Sequence, residues 1–195
     1  IYRFPGIFGK WCKPNYNSVV ATFCYNIANG NSIKISDPSK VISLVYIDDV
    51  IKNILDFLIN SKFDSKITQG EIKPIYSINL TDLANQIHAF SNSRTSLITE
   101  NVGIGFKRAL YSTYLSYLSP ENFSYSLPKH EDSRGFFVEM LKTSDSGQFS
   151  FFTSRPGITR GSHYHHTKTE KFLVVKGKAK FGFRHVITNE TYELF

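Results

Sequence analysis

Two histidines and one glutamate are spaced so that they could bind a divalent metal ion. His163 and His165 are separated by one residue, and Glu170 follows after four more. On a strand, side chains alternate between the two faces, so both imidazoles would project to one side. Glu170 would open the next strand, which can run antiparallel and aim the carboxylate at the same point. Two imidazoles and one carboxylate suit zinc, and also iron, manganese, nickel or copper.

Two glycines frame these residues at a characteristic spacing. Gly157 precedes His163 by five intervening residues, and Gly177 follows Glu170 after six. This arrangement matches the first sequence motif of the cupin superfamily at every position. The resemblance implies a small β-barrel and a fourth ligand, a histidine, in a second motif further downstream. That motif is absent from this sequence, and we interpret His185 as a surface strand residue rather than a substitute ligand.

A second resemblance overlaps the first. Residues 132–139 and 160–164 are similar to the corresponding stretches of the dTDP-sugar 3,5-epimerases, which are also cupin barrels. That resemblance implies that His163 is a general base and that Arg160 lies near the charge of the substrate. Those epimerases lack the metal, so with His165 and Glu170 present we favour His163 as a ligand, and as the base only if it is not one. The metal would act as a Lewis acid on a ketone or enolate oxygen.

The residues before position 119 predict an α/β layer, because short apolar strands alternate with helical repeats. A stripe at helical spacing is formed by Val20, Phe23, Cys24 and Ile27. Asn17 can be the N-cap of this helix and Gly30 its stop. Further strands are predicted at 44–47 and 75–78, helices starting at Asp48 and Thr81, and a last helix over 106–118.

The residues after 128 predict an all-β part, because aromatic and β-branched runs alternate with Gly, Pro, Ser and Asp. The predicted strands are 136–138, 149–153, 172–175 and 179–183. Pro120 and Pro128 bracket a polar stretch that we interpret as a linker. The expected domains are therefore 1–118 (α/β), 119–128 (linker) and 129–195 (partial cupin domain).

The α/β part also carries a family resemblance. Residues 1–9 and 45–50 resemble the substrate-side half of extended short-chain dehydrogenases/reductases (SDRs) that act on nucleotide sugars. With residues 10–23 and the cupin-like part, essentially the whole chain resembles the bifunctional capsular-polysaccharide enzymes that make UDP-2-acetamido-2,6-dideoxy-L-talose, a precursor of N-acetyl-L-fucosamine. This implies the C-terminal part of an extended SDR (Rossmann-type) domain followed by the first half of a cupin β-barrel. We expect a fragment truncated at both ends.

In that family the cupin domain epimerises a 4-keto UDP-sugar at C3 with zinc, and the reductase domain reduces C4 with NADPH. No Gly-x-Gly-x-x-Gly follows a strand in this chain, since Gly103-x-Gly105 lacks the third glycine. Tyr125 and Lys129 have the spacing of the reductase's catalytic pair, but Pro128 argues against the helix that they need. We therefore expect no cofactor-binding residue for NADPH in this chain and no reductase activity from it.

Substrate contacts are expected from the loop that follows the first strand. In the extended SDRs that this part resembles, many members have an Arg that contacts the diphosphate of the nucleotide sugar. This chain has Ile42 at the corresponding position. The candidates for this phosphate contact are instead Lys10, Lys13, Asn15 and Asn17. Each could equally be a loop or capping residue.

The composition favours an anionic small molecule as the partner. The formal net charge is +7 and the pI is about 9.3, which suits a UDP-sugar. The lysines are scattered and no nucleic-acid motif accompanies them, so we expect no nucleic-acid partner. The sequence contains no run of about 18 apolar residues, so no membrane-spanning helix is predicted. We expect a cytoplasmic protein and, because cupins commonly dimerise, a homodimer.

The leading hypothesis is a partial bifunctional epimerase and NADPH-dependent reductase of nucleotide sugars. The alternatives are a non-catalytic sugar-binding cupin with a degenerate α/β partner, and a different metal-dependent cupin chemistry such as oxygenation.

Overall fold

The computed structural model describes residues 2–60, 70 and 72–195, and the chain divides into two compact units, Ile1–Pro156 and Gly157–Phe195. The first unit contains, in order, β1 (Gly6–Phe8), α1 (Val19–Ala28), β2 (Val41–Tyr46), α2 (Ile47–Asn60), β3 (Tyr76–Asn79), α3 (Leu80–Ser96), α4 (Gly105–Leu115), a 3-10 turn (Pro120–Asn122), β4 (Lys129–Asp132), β5 (Gly135–Lys142) and β6 (Gln148–Phe152). The second contains β7 (Phe181–Arg184) and β8 (Thr191–Leu194).

The first sheet is mixed. β1 pairs in parallel with β2, and β3 pairs antiparallel with β2 along its other edge. The connection between the parallel strands β1 and β2 contains α1, whereas α2 connects β2 to the antiparallel strand β3. Both parallel strands therefore end at one edge of the sheet, and Lys10 and Asp48, which follow them, approach each other there to 3.7 Å.

The core of the first unit lies where α1, α3 and α4 pack together and against this sheet. The predicted stripe of α1 is confirmed, since Val20 and Cys24 are fully buried and Phe23 and Ile27 are nearly so. Removing this apolar surface from water is the main favourable contribution to folding. Burial raises the pKa of the Cys24 thiol, so this cysteine serves as a core side chain. The buried stripe thus fixes α1, which follows the loop after β1, against the core.

The helix starts differ from the predictions by one or two residues. Ser18, not Asn17, is the N-cap of α1, and its hydroxyl accepts a hydrogen bond from the Ala21 amide at 3.3 Å. α2 begins at Ile47, so Asp48 lies in its first turn, where a negative charge favours the helix dipole. Asn79 caps α3, which places Thr81 inside the helix.

A separate antiparallel sheet, β4-β5-β6, completes the first unit. Its strands include the predicted run at 136–138 and all but the last residue of the run predicted at 149–153. β5 is tied to the end of α3, because the Lys142 amide donates to the Leu97 carbonyl at 2.8 Å and the Thr99 amide donates to the Lys142 carbonyl at 2.7 Å. The β-rich segment up to residue 156 is thereby part of the same compact unit as the helices.

The second unit has little regular structure. β7 and β8 form a hairpin, and within the described residues no strand is present between Gly157 and Lys180. The predicted strand at 172–175 is therefore absent, and the one predicted at 179–183 begins at Phe181. Gly157, Gly161 and Ser162 adopt positive φ angles, which interrupt an extended backbone.

The fold class expected from the sequence is wrong. We expected an α/β part of an extended SDR (Rossmann-type) domain followed by an all-β half of a cupin β-barrel. The described residues form a small mixed α/β fold with short sheets, in which β1 and β2 are the parallel strand pair and two further short sheets are antiparallel. Periodicity identifies helices and strands, but it does not fix the direction in which distant strands pair.

The expected domain limits, 1–118, 119–128 and 129–195, stay a prediction, since compactness does not define domain ancestry. In the part of the chain that the structure describes, no helix is long and apolar enough to cross a membrane.

Replacing Ser18 with Ala should lower the free energy of unfolding by about 1 kcal/mol, because the N-cap hydrogen bond to α1 is lost. Asn17→Ala is the matched control and should change it by less than about 0.5 kcal/mol. Urea denaturation followed by far-UV circular dichroism measures both, and a larger loss for Asn17→Ala would contradict the cap assignment.

Candidate metal centre

The predicted ligands lie on a loop of the second unit rather than on paired strands. Gly161 and Ser162, directly before His163, have φ angles of 115° and 61°. This left-handed backbone ends any extended run at that point, and no strand contains the two histidines. Their side chains still project to one side, because the His163 and His165 rings are neighbours and the Tyr164 and His166 rings are neighbours in turn. The side chains of His163, His165 and Glu170 nevertheless converge.

The three side chains face one another around the carboxylate. Nε2 of His163 lies 3.9 Å from Oε2 of Glu170, and Nε2 of His165 lies 3.6 Å from Oε1. The two imidazole rings are 4.9 Å apart between centroids and inclined by 65°. One ligand atom from each residue lies within 4.8 Å of the others. Each imidazole therefore approaches a different oxygen of one carboxylate.

The donor set and its spacing fit a divalent ion. Ligands bound tetrahedrally at 2.0–2.1 Å from zinc are separated by about 3.4 Å. The observed separations are a few tenths of an ångström to about 1.4 Å longer, which small side-chain rotations can close. The side chains are 56%, 33% and 32% exposed for His163, His165 and Glu170, respectively. The site is open, so a substrate oxygen or water could complete the coordination.

Lys168 also contacts the carboxylate, a feature that we did not predict. Its Nζ lies 3.3 Å from Oε1 of Glu170, the oxygen that His165 also faces. The signal in the sequence is the i, i+2 spacing of Lys168 and Glu170, which places two side chains on the same side of an extended segment.

The remaining candidates of the second unit occupy other positions. Arg160 is half-buried and lies three residues before His163. His185 belongs to the hairpin turn, where its Nδ1 lies 3.1 Å from the Thr188 amide and 3.0 Å from the Thr188 hydroxyl. In the described part of the chain, the metal-ligating cluster does not include His185.

The substrate-binding candidates Lys13, Asn15 and Asn17 belong to the first unit. All three are exposed on the loop between β1 and α1. The Lys13 ammonium lies 5.4 Å from the centre of the Tyr16 ring, and the backbone N–H of Asn15 donates to the Thr22 hydroxyl at 2.9 Å. The loop therefore holds these polar side chains at the surface.

This loop is held by hydrogen bonds to residues that directly follow α4. The Tyr117 hydroxyl donates to the Cys12 carbonyl at 2.5 Å, and the Trp11 amide donates to the Ser116 hydroxyl at 3.3 Å. Trp11 and Asn15 both have positive φ angles, which non-glycine residues adopt at a conformational cost. Despite the anchoring, the Trp11 and Tyr16 side chains are 77% and 74% exposed. Our sequence reasoning missed these two aromatic residues, although their position beside Lys10 and Lys13 was a visible signal.

Lys10, at the start of this loop, forms an ion pair with Asp48. The Lys10 ammonium contacts the Tyr46 hydroxyl and the Asp48 carboxylate, and these two groups, Tyr46 first, raise the pKa of Lys10. Lys10 is thus committed to the edge of the sheet, which leaves Lys13 as the outward-facing cation among the four loop candidates.

Two other sequence motifs lie in a turn and in a loop that leads into a strand. Residues 132–135 form the turn between β4 and β5, in which Arg134 donates to the Asp132 carboxylate at 2.6 and 2.9 Å. Tyr125 lies outside any helix and Lys129 begins β4, so these two residues do not form a helical pair.

Comparison with known proteins finds a family model that matches the C-terminal part of the chain. Residues 130–195, which contain the metal-ligand candidates, match the family model described as the polysaccharide biosynthesis C-terminal domain.

Particular relatives extend the similarity to the whole chain. A Pseudomonas aeruginosa protein named UDP-2-acetamido-2,6-beta-L-arabino-hexul-4-ose reductase is 55% identical over 100% of this chain and 52% of its own length. The spore coat polysaccharide biosynthesis protein SpsL of Bacillus subtilis is 34% identical over 28% of this chain and 39% of its own length.

Solved structures agree with this similarity. The capsular polysaccharide assembling protein CapF from Staphylococcus aureus is 43% identical, with a TM-score of 0.87 over 99% of this chain and 52% of that protein. CapF with the inhibitor 3-isopropenyl-tropolone gives a TM-score of 0.88 at the same identity, over 99% of this chain and 56% of that one. The fold described above is thus shared with CapF, and the chain spans about half the length of the relatives that match it throughout.

Glu170→Gln should weaken zinc binding at least tenfold, because the only anionic ligand of the predicted set is lost. Since all three ligands are exposed, the unaltered chain should also release its zinc readily to a chelator. Elemental analysis after dialysis against defined free zinc measures both effects. Glu193→Gln on β8 is the matched control and should retain the zinc of the unaltered chain. Equal zinc content in Glu170→Gln would contradict the assignment.

Proposed function

We propose that this chain is part of a nucleotide-sugar-modifying enzyme of capsular polysaccharide biosynthesis. We propose further that its metal centre serves C3 epimerisation of a 4-keto UDP-sugar. The observation that carries the proposal is the convergence of His163, His165 and Glu170 within 4.8 Å. The names of the relatives, a UDP-hexulose reductase and a capsular polysaccharide assembling protein, support the substrate class and the pathway.

The site residues fit the chemistry of a ketone. When bound, a divalent ion, for which zinc is our first choice, supplies Lewis-acid polarisation of the carbonyl oxygen next to the carbon that loses its proton. His163 and His165 would hold that ion with neutral imidazoles, while Glu170 offsets one of its charges. The open side of the site leaves room for the sugar oxygen, and Arg160 is our candidate for contact with the negative charge of the substrate.

The proton at C3 needs a base other than the three ligands. His163 would be that base only in the alternative arrangement in which it does not bind metal, because a coordinated nitrogen has no lone pair for a proton. In that arrangement Glu170, 3.9 Å away, would orient the His163 ring instead.

The inhibitor in one related structure supports a metal centre. Tropolones carry a ketone and a hydroxyl oxygen on adjacent ring carbons, and such a pair chelates divalent ions. That CapF takes a tropolone as an inhibitor is in keeping with a metal in this family of proteins. The same adjacent-oxygen pattern occurs in the enediolate that forms when a 4-keto sugar with a 3-hydroxyl group loses its C3 proton.

The longer protein is proposed to reduce C4 with NADPH, in line with the name of the Pseudomonas relative. We propose that the 195-residue chain does not catalyse this reduction by itself, because its sequence carries no glycine-rich phosphate loop. The homodimer stays a prediction.

The loop between β1 and α1 is a separate proposed subsite in the first unit, which would bind the anionic end of the UDP-sugar for the C4 reduction in the longer protein. Lys13 supplies a charge and Asn15 and Asn17 supply hydrogen-bonding amides, all exposed on an anchored loop. The exposed rings of Trp11 and Tyr16 could stack on a planar base.

Proton exchange at C3 tests the epimerase proposal. The chain, loaded with zinc and mixed with the 4-keto UDP-sugar in deuterated water, should incorporate deuterium at C3, as followed by proton NMR. A chelator should abolish the exchange, and Glu170→Gln should lower its rate at least a hundredfold, because the carbonyl is no longer polarised. Glu193→Gln should exchange at the unaltered rate.

Two results would contradict the proposal. Exchange that survives the chelator and the Glu170→Gln substitution would mean a metal-free base mechanism. Binding of the UDP-sugar without any exchange, in this chain and in the longer protein alike, would favour the non-catalytic sugar-binding alternative.

Lys13→Ala should weaken UDP binding about three- to tenfold, because one exposed ammonium no longer attracts the diphosphate. Isothermal titration calorimetry with UDP gives the Kd. Lys52→Ala, which removes the same charge from α2, is the control and should bind like the unaltered chain. A similar loss in both variants would show a general charge effect and contradict a subsite at the loop.

A further inference from the structure

We propose that Lys168 is a built-in competitor for the metal, an ammonium that occupies the carboxylate of Glu170 until a divalent ion displaces it. The inference rests on the proposed metal centre and adds to it a residue that sets the affinity of the site.

The contact geometry shows what the two cations would share. Lys168 Nζ lies 3.3 Å from Oε1 of Glu170, and His165 Nε2 lies 3.6 Å from the same oxygen. The other oxygen, Oε2, faces His163 at 3.9 Å. The ammonium therefore sits on the oxygen through which an ion held with His165 would be bound.

A lysine is suited to compete without closing the site. Its charge is compact and strongly hydrated, and it stands on a flexible four-carbon chain. The Lys168 side chain is 51% exposed, so its ammonium can swing into water when another cation takes the carboxylate. The pair resembles an ordinary surface ion pair in strength, and a divalent ion with three ligands can replace it.

Displacement alone does not remove the competition. An ammonium that stays tethered two residues from Glu170 continues to repel a divalent cation at that carboxylate. Because both groups are open to solvent, salt screens this repulsion over a Debye length of about 10 Å at 0.1 M ionic strength. The site should therefore bind metal more weakly than it would without Lys168, and this loss of affinity should become smaller as the salt concentration rises.

The sequence of the second unit offers a matched comparison. Lys180 pairs with Glu193 at 2.7 Å and is 53% exposed, close to the exposure of Lys168. Replacing either lysine with glutamine removes one charge and one surface ion pair, but only Lys168 contacts a ligand candidate.

The test is the zinc affinity of the full chain, measured by competition with a chromophoric zinc chelator at about 0.02 M and about 0.5 M salt. Lys168→Gln should lower the Kd for zinc about three- to tenfold at low salt, and the gain should shrink at high salt. Lys168→Arg, which keeps the charge, should stay within about twofold of the unaltered chain, and so should Lys180→Gln.

The outcomes separate this inference from the function on which it rests. Zinc binding to the unaltered chain that Lys168→Gln leaves unchanged or weakens would overturn the competitor role and leave the metal centre standing. An equal gain in Lys180→Gln would overturn it too, since net charge alone would then explain the effect. No zinc binding to the unaltered chain would overturn the metal centre itself, and this inference with it.

Discussion

One carboxylate surrounded by nitrogen atoms is the interaction on which the account of this protein depends. Glu170 faces an imidazole on each oxygen, with an ammonium on one of them, all within 3.3–3.9 Å. A carboxylate and two imidazoles that converge in this way fit the donor set of a divalent ion. The negative charge of the Glu170 carboxylate also attracts the Lys168 ammonium. The metal binding, ketone polarisation and cation competition that we propose would therefore all depend on the position of one side chain.

The backbone that places Glu170 is a loop, and this shapes the properties of the site. Left-handed φ angles at Gly161 and Ser162 turn the chain immediately before the first histidine, so convergence does not need a strand ladder. A loop encloses its ligands poorly, and about a third or more of each ligand side chain remains exposed. The first unit shows the opposite design. There, hydrogen bonds to Ser116 and Tyr117, just after α4, fix the loop after β1, while its aromatic and basic side chains stay open to solvent.

The sequence predicted elements and clusters better than their arrangement. The burial of Val20, Phe23, Cys24 and Ile27 followed from helical spacing, because a 3.6-residue repeat directly sets which face is apolar. The convergence of His163, His165 and Glu170 was also predictable, since ligands separated by so few residues can meet in several backbone conformations. The strand at 172–175 and the overall fold class were wrong, because strand pairing depends on distant partners and on their direction. Lys168 and Trp11 were missed because their roles rest on contacts, not on a pattern.

X-ray absorption at the zinc edge of the zinc-loaded chain tests the central claim most directly, since it reports which atoms surround the ion. If His163, His165 and Glu170 bind the ion, we expect imidazole scattering from two histidines, with nitrogen neighbours at about 2.0–2.1 Å and an oxygen neighbour at a similar distance. A spectrum without imidazole scattering, or one that is the same when His163 and His165 are replaced by Asn, would contradict it.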